Sequence, residues 1–151
     1  MTEYWTLVKR DHAEIREALR ALEDATAPEV VRHRALTTLR LGFAAHAVAE
    51  AQLLASVLDV LADPPPVLGF VATQIVAAHD AQEAAVAELA ALPIDSLEAR
   101  ARREALVTLL REHEAHEEAI ALPALRDYLP PRVYDLLADA YATWRVRALA
   151  A

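Results

Sequence analysis

The sequence predicts an all-α fold, an antiparallel up-down four-helix bundle with a short fifth helix at the C-terminus. Three observations carry that expectation. Only two of the 151 residues are glycine, and alanine and leucine dominate, a composition that favours helix nearly everywhere. Alternating runs of β-branched and aromatic residues, the mark of half-buried strands, are missing. Prolines stand at 28, 64–66, 93, 123 and 130–131, where they open or end helices. They divide the chain into helical segments of roughly 3–25, 28–62, 67–91 and 96–128, with a shorter fifth at about 131–148. The length suits one domain spanning 1–151.

Each long segment has an apolar seam with spacings of three and four, as a packed helix requires. The first reads Trp5, Val8, His12, Ile15, Leu19 and Leu22. The second reads Leu36, Leu39, Phe43, His46, Glu50, Leu53 and Val57. The third runs through Leu68, Ala72, Ile75, His79, Gln82, Val86 and Leu89, and the fourth through Leu106, Leu110, His113, Glu117, Ile120 and Ala124. Short connections between such helices imply antiparallel neighbours. Asp95 and Glu98 have capping-box spacing at the start of the fourth, and Pro123 is expected to kink it near its end.

Charge and composition narrow the function. A net charge of -8 makes nucleic acid an unfavourable partner. With no cysteine, disulfides, iron–sulfur ligation and thiolate metal sites are excluded. No signal peptide is visible at the N-terminus. The apolar stretch 41–62 is interrupted by His46, Glu50, Gln52 and Asp59, so no membrane span is expected. A cytoplasmic location is the default expectation.

All four seams carry polar residues near their middles. Each has one histidine, and two add a glutamate one turn later on the same face. Buried imidazoles and carboxylates are costly unless paired or metal-bound. His12, His46, His79 and His113 are separated by 34, 33 and 34 positions. The midpoints fall near the proline-marked turns, so antiparallel helices would bring the four histidines to one depth, with Glu50 and Glu117 about 5 Å away along the axis. A set of four imidazoles and two carboxylates suits iron, manganese or zinc. It is too large for one tetrahedral zinc, but a dinuclear site would use it all. The Glu-x-x-His pairs of ferritin-like centres and the HExxH of zinc proteases are both missing.

The ordered set Asp11-His12, His46-Ala-Val-Ala-Glu50, His79 and His113-Glu-Ala-His-Glu117-Glu118, followed by Ala121-Leu-Pro-Ala-Leu125, resembles the hemerythrin-like (HHE cation-binding) domain over about residues 5–128. The resemblance implies two iron ions with an oxo or hydroxo bridge between them. His12 and His46 would bind one, His79 and His113 the other, and Glu50 and Glu117 would bridge. It implies binding, reduction or sensing of O2, peroxide or nitric oxide. The alternative is a di-iron oxidase or oxygenase acting on an organic small molecule, and whether the chain is an enzyme stays open at this point. Oxygen-carrying hemerythrins place a second histidine four residues after the third-helix histidine. Here that position is Glu83, a candidate seventh ligand that would favour ferric iron over reversible oxygenation. Val8, Ile15, Phe43, Ile75, Leu110 and Ile120 are the expected walls of a small apolar pocket.

Overall fold

A computed structural model describes residues 3–151, so the first two positions of the expected domain lie outside the described residues. The chain is all-helical, with no strand among the described residues. Four long helices come first: α1 (Tyr4–Glu23), α2 (Glu29–Val60), α3 (Pro66–Ala90) and α4 (Leu97–His116). A single π-helical turn, Glu117–Ala121, leads into α5 (Leu122–Tyr128), and α6 (Pro131–Tyr134) and α7 (Leu137–Ala150) complete the chain. Helix α2 packs on α1 and α3, α3 packs on α4, and α1 also touches α4. Helix α7 lies along α2 and reaches α1.

Proline placement explains most boundaries. Pro28 caps α2, while Pro66 and Pro131 are the first residues of α3 and α6. A proline there forfeits no hydrogen bond, because the first amides of a helix have no internal partner. The expected fifth helix is two pieces, with Asp135 and Leu136 between them.

One local expectation needs correction and another gains detail. Asp95 does not cap α4. Ser96 does, its hydroxyl accepting from the Ala99 amide at 3.0 Å. Asp95 instead takes both ends of the largely buried Arg32 guanidinium, one of them at 3.1 Å, and a carboxylate engaged in a fork of this kind is unavailable to its own helix. Just before Pro123 the helix carries a π turn. The proline lacks the N–H that would bond back four residues and its ring crowds that carbonyl, so the helix widens one turn earlier. The Leu122 amide bonds to the Glu117 carbonyl, five residues back. This wider turn brings Ala121 into the core and leaves Ile120 45% exposed, so Ile120 is not a pocket wall.

The core has two apolar lobes. One contains Leu53, Val57, Leu68, Val71, Leu125 and Leu137, and the other Leu19, Leu22, Leu39, Phe43, Val86 and Leu106. Between them lies the layer of buried histidines and glutamates. In the first seam Tyr4, not Trp5, is the buried aromatic. Helix α2 is long and apolar enough to cross a membrane by those two criteria alone, with half of its apolar window buried inside this fold.

Candidate metal centre

Each long helix delivers one histidine to the layer, from near the middle of α1, α2 and α3 and from the last turn of α4. The rings follow one another in chain order. His12 and His46 have centroids 4.8 Å apart, His46 and His79 5.1 Å, His79 and His113 4.6 Å, and His113 and His12 5.9 Å. All four are buried, as are Glu50 and Glu117. Equal depth follows from the near-equal spacing of the histidines about the turns, as expected.

The carboxylates sit one helical turn from their histidines, and each reaches a neighbouring helix. Glu117 sets Oε1 3.2 Å from His113 Nε2 and Oε2 3.2 Å from His12 Nε2. Glu50 sets Oε2 3.7 Å from His79 Nε2 and 3.9 Å from His46 Nε2. His79 and His113 face each other through Nε2 at 3.1 Å. Ligand atoms from His46, Glu50, His79, His113 and Glu117 all fall within 4.8 Å of one another. His12 joins them through Glu117.

These contacts have the distances of ion pairs but not the charges. Burial lowers the pKa of His12 and of His79 to about 3, helped in each case by the nearby His113. Burial also depresses His46 and His113. All four imidazoles are therefore neutral near pH 7, the form that binds metal. Burial raises Glu50 well above the ordinary range, with the Glu117 charge adding to it. Burial likewise raises Glu117 to about 7.

A site of this kind is poorly satisfied by protein alone. His12 Nε2, His46 Nε2, Glu50 Oε2 and both Glu117 oxygens are buried without a hydrogen-bond partner among the described residues. Native interiors rarely leave such groups unmatched. A divalent cation at their meeting point would satisfy them together and would offset the two buried carboxylates. The donor set of neutral imidazole and carboxylate fits iron, manganese or zinc.

Glu83 is not part of this group. It lies exposed on α3, while its neighbour Gln82 is 1% exposed and donates to the Leu109 carbonyl at 3.2 Å. The inward face of α3 runs Ile75, His79, Gln82, Val86 and Leu89. After His79 the next inward position is three residues on, and position four turns outward past the edge of the packed face. Of the expected walls, Val8, Ile15, Phe43, Ile75 and Leu110 are buried.

Three residues at the site, Tyr4, Tyr141 and Arg145, were not singled out from sequence. The Tyr4 hydroxyl donates to Glu50 Oε1. Tyr141 lies 2.9 Å from His46 Nδ1 and donates to Asp11 Oδ2 at 2.6 Å. Arg145 donates to the same Asp11 oxygen at 2.6 Å and to Glu14 at 2.9 Å. Burial raises the phenol pKa of both tyrosines, and the Glu50 carboxylate adds to the effect, so both keep their protons. Tyr4 had a readable signal, since Tyr4, Val8 and His12 continue the first seam at spacing four. Tyr141 and Arg145 are four apart on one face of α7, but nothing local to that helix points to His46.

Compared with family models, with curated proteins and with solved structures, the chain returns no significant match. Fold and site alone define the class: an all-helical protein whose buried His46, Glu50, His79, His113 and Glu117 could hold a metal ion.

Proposed function

We propose that the chain is a non-haem di-iron protein of hemerythrin-like type, built on an up-down four-helix bundle, that binds, reduces or senses O2, peroxide or nitric oxide. The observation that carries this reading is the convergence of four imidazoles and two carboxylates whose inward atoms lack other partners. Six donors exceed what one four-coordinate ion needs and match two ions sharing a carboxylate. Glu117, with one oxygen toward His12 and the other toward His113, supports a bridging role. Glu50 offers Oε2 between His46 and His79 while Tyr4 holds Oε1, which supports ligation through one oxygen.

Bound iron would supply the redox electrons for a small ligand. The protein's own part is to keep the imidazoles neutral, to carry the carboxylates' negative charge, and to exclude water. Val8, Ile15, Phe43, Ile75 and Leu110 are apolar and buried around the layer, so few polar groups are positioned to recognise a larger molecule. With Glu83 in solvent, no seventh side chain fills the position where oxygen carriers have their extra histidine. That position is left to an exogenous ligand. The carboxylate expected to tip the centre toward the ferric state is also lost, so carriage and reduction are separated by experiment.

Metal analysis of the purified chain tests the reading. About two irons per chain are expected, with visible absorption that responds to peroxide and azide. A chain that retains no iron, manganese or zinc after expression and reconstitution refutes it. Stopped-flow mixing of the ferrous protein with O2 then separates the roles. A band that disappears under vacuum and returns with air marks a carrier, and irreversible oxidation marks a reductase or oxidase.

A further inference from the structure

The phenol of Tyr141 has one proton and two polar neighbours, His46 Nδ1 at 2.9 Å and Asp11 Oδ2 at 2.6 Å. Asp11 Oδ2 also accepts from Arg145 Nε at 2.6 Å. An oxygen that receives a guanidinium N–H is a carboxylate oxygen and has no proton to give. The phenol proton therefore goes to Asp11. The phenol oxygen is left as an acceptor, and the atom facing it, His46 Nδ1, must carry hydrogen. His46 then presents a bare Nε2 toward Glu50 and the other imidazoles. His79 and His113 have no such support, since their Nδ1 atoms are buried without a partner among the described residues.

We propose that Tyr141 is a positioning residue for the metal centre, fixing the tautomer and ring plane of His46 through the chain Arg145–Asp11–Tyr141–His46. The inference rests on the metal-site reading above and extends it to α7, a helix that supplies no ligand. Helix α7 is then part of the site. Docked on α2 and α1, it holds His46 ready before any ion arrives, and through Arg145 and Glu14 it ties that orientation to the protein surface. Hydrogen bonds behind metal-ligating histidines set ligand orientation and basicity, and losing one commonly costs about 10- to 100-fold in metal affinity.

The test uses the full chain. Nitrogen-15 spectra of the histidine rings in the metal-free protein should show His46 protonated at Nδ1. Titration with cobalt(II), whose visible bands report coordination, should show Tyr141→Phe binding about 10- to 100-fold more weakly with altered bands. Thr143→Ala, exposed on the same helix, should match the wild type in both. If Tyr141→Phe does not fold, Arg145→Gln serves instead. Without the guanidinium, Asp11 is no longer held in place to accept the phenol proton. The phenol can then turn its own proton to His46, and the ring should shift toward the Nε2–H tautomer. An Nε2–H tautomer in the wild type overturns the proposal. So does cobalt affinity within twofold of wild type with unchanged bands in Tyr141→Phe, or an unshifted ring in Arg145→Gln. A wild-type chain that binds neither cobalt nor iron overturns the metal reading itself, and the positioning role with it. Failure of the variants in a chain that does bind overturns the positioning role alone.

Discussion

His79 Nε2 and His113 Nε2 face each other across 3.1 Å in the middle of the protein, and both Nδ1 atoms are buried without partners. At that distance either one ring donates its single proton to the other, which leaves its own Nδ1 bare and buried, or a cation lies between two bare nitrogens. Burial keeps both rings neutral, the form that binds a cation, and a cation would let each ring move its proton to Nδ1. Metal should therefore stabilise the fold measurably. A ligand at about 100 times its Kd adds about 2.7 kcal/mol, worth roughly 5–10 °C in Tm at this chain length. Calorimetry with and without chelator checks it, and equal melting temperatures for the two forms would count against the site.

The glutamates should separate stability from metal content. Glu50 is buried, and its Oε2 has no hydrogen-bond partner. Replacing a buried, unmatched carboxylate by a neutral amide removes a desolvation cost. Glu50→Gln is expected to make the metal-free protein more stable, by about 1–3 kcal/mol, while lowering metal content. His46→Ala and His113→Ala should lower metal content and leave cavities that destabilise the metal-free protein. Urea unfolding paired with metal analysis reads both effects.

Acidity should control metal release through Glu117 rather than through the histidines. Its folded pKa lies near 7, above the ordinary carboxyl value, because it is buried. A raised carboxyl pKa means that the folded, metal-free protein holds a proton that metal must displace. Affinity should accordingly fall as pH drops below about 7, by about tenfold per unit for each displaced proton, Glu50 adding its own because burial raises it as well. His12 and His79, held near 3, compete only far below that. In the metal-free protein the signs oppose each other. Glu117 contributes stability below pH 4.5 that is lost as pH rises toward 7, and the two histidines contribute stability above pH 6.5 that is lost as pH falls toward 3. Competition titrations at pH 5.5, 6.5 and 7.5 test the first statement, and a flat affinity would exclude Glu117 from the coordinating set.

On α3, adjacent residues should behave in opposite ways. Glu83→Gln should change stability by less than about 0.5 kcal/mol and leave metal content and spectrum unaltered, because Glu83 is exposed. Gln82→Ala should destabilise by about 1–3 kcal/mol, since it removes a buried side chain and the hydrogen bond to the Leu109 carbonyl. A spectral change in Glu83→Gln would return that residue to the site.

The cap of α4 offers a test away from the metal. Ser96→Ala should cost about 1 kcal/mol by loss of the bond to the Ala99 amide. Asp95→Ala should act instead through Arg32, which would lose its guanidinium partner. The two effects should add, because they use different groups, and chemical denaturation of the double variant measures this directly.

The helical class, most of each seam, and the convergence of the four histidines with Glu50 and Glu117 one turn away were legible in the sequence. Periodicity, proline position and spacing about the turns are properties of a chain read one helix at a time. Tertiary structure alone decided the rest. Glu83 and Gln82 differ by one position, and only the angle at which α3 meets its neighbours selects Gln82 as the inward residue. Ile120 left the core because Pro123 widened the preceding turn, a displacement that a fixed helical period cannot register. Tyr141 meets His46 across 95 positions and Asp11 across 130. The pairing depends on where α7 docks, and that is set by which apolar faces of α1 and α2 remain uncovered after the long helices have packed.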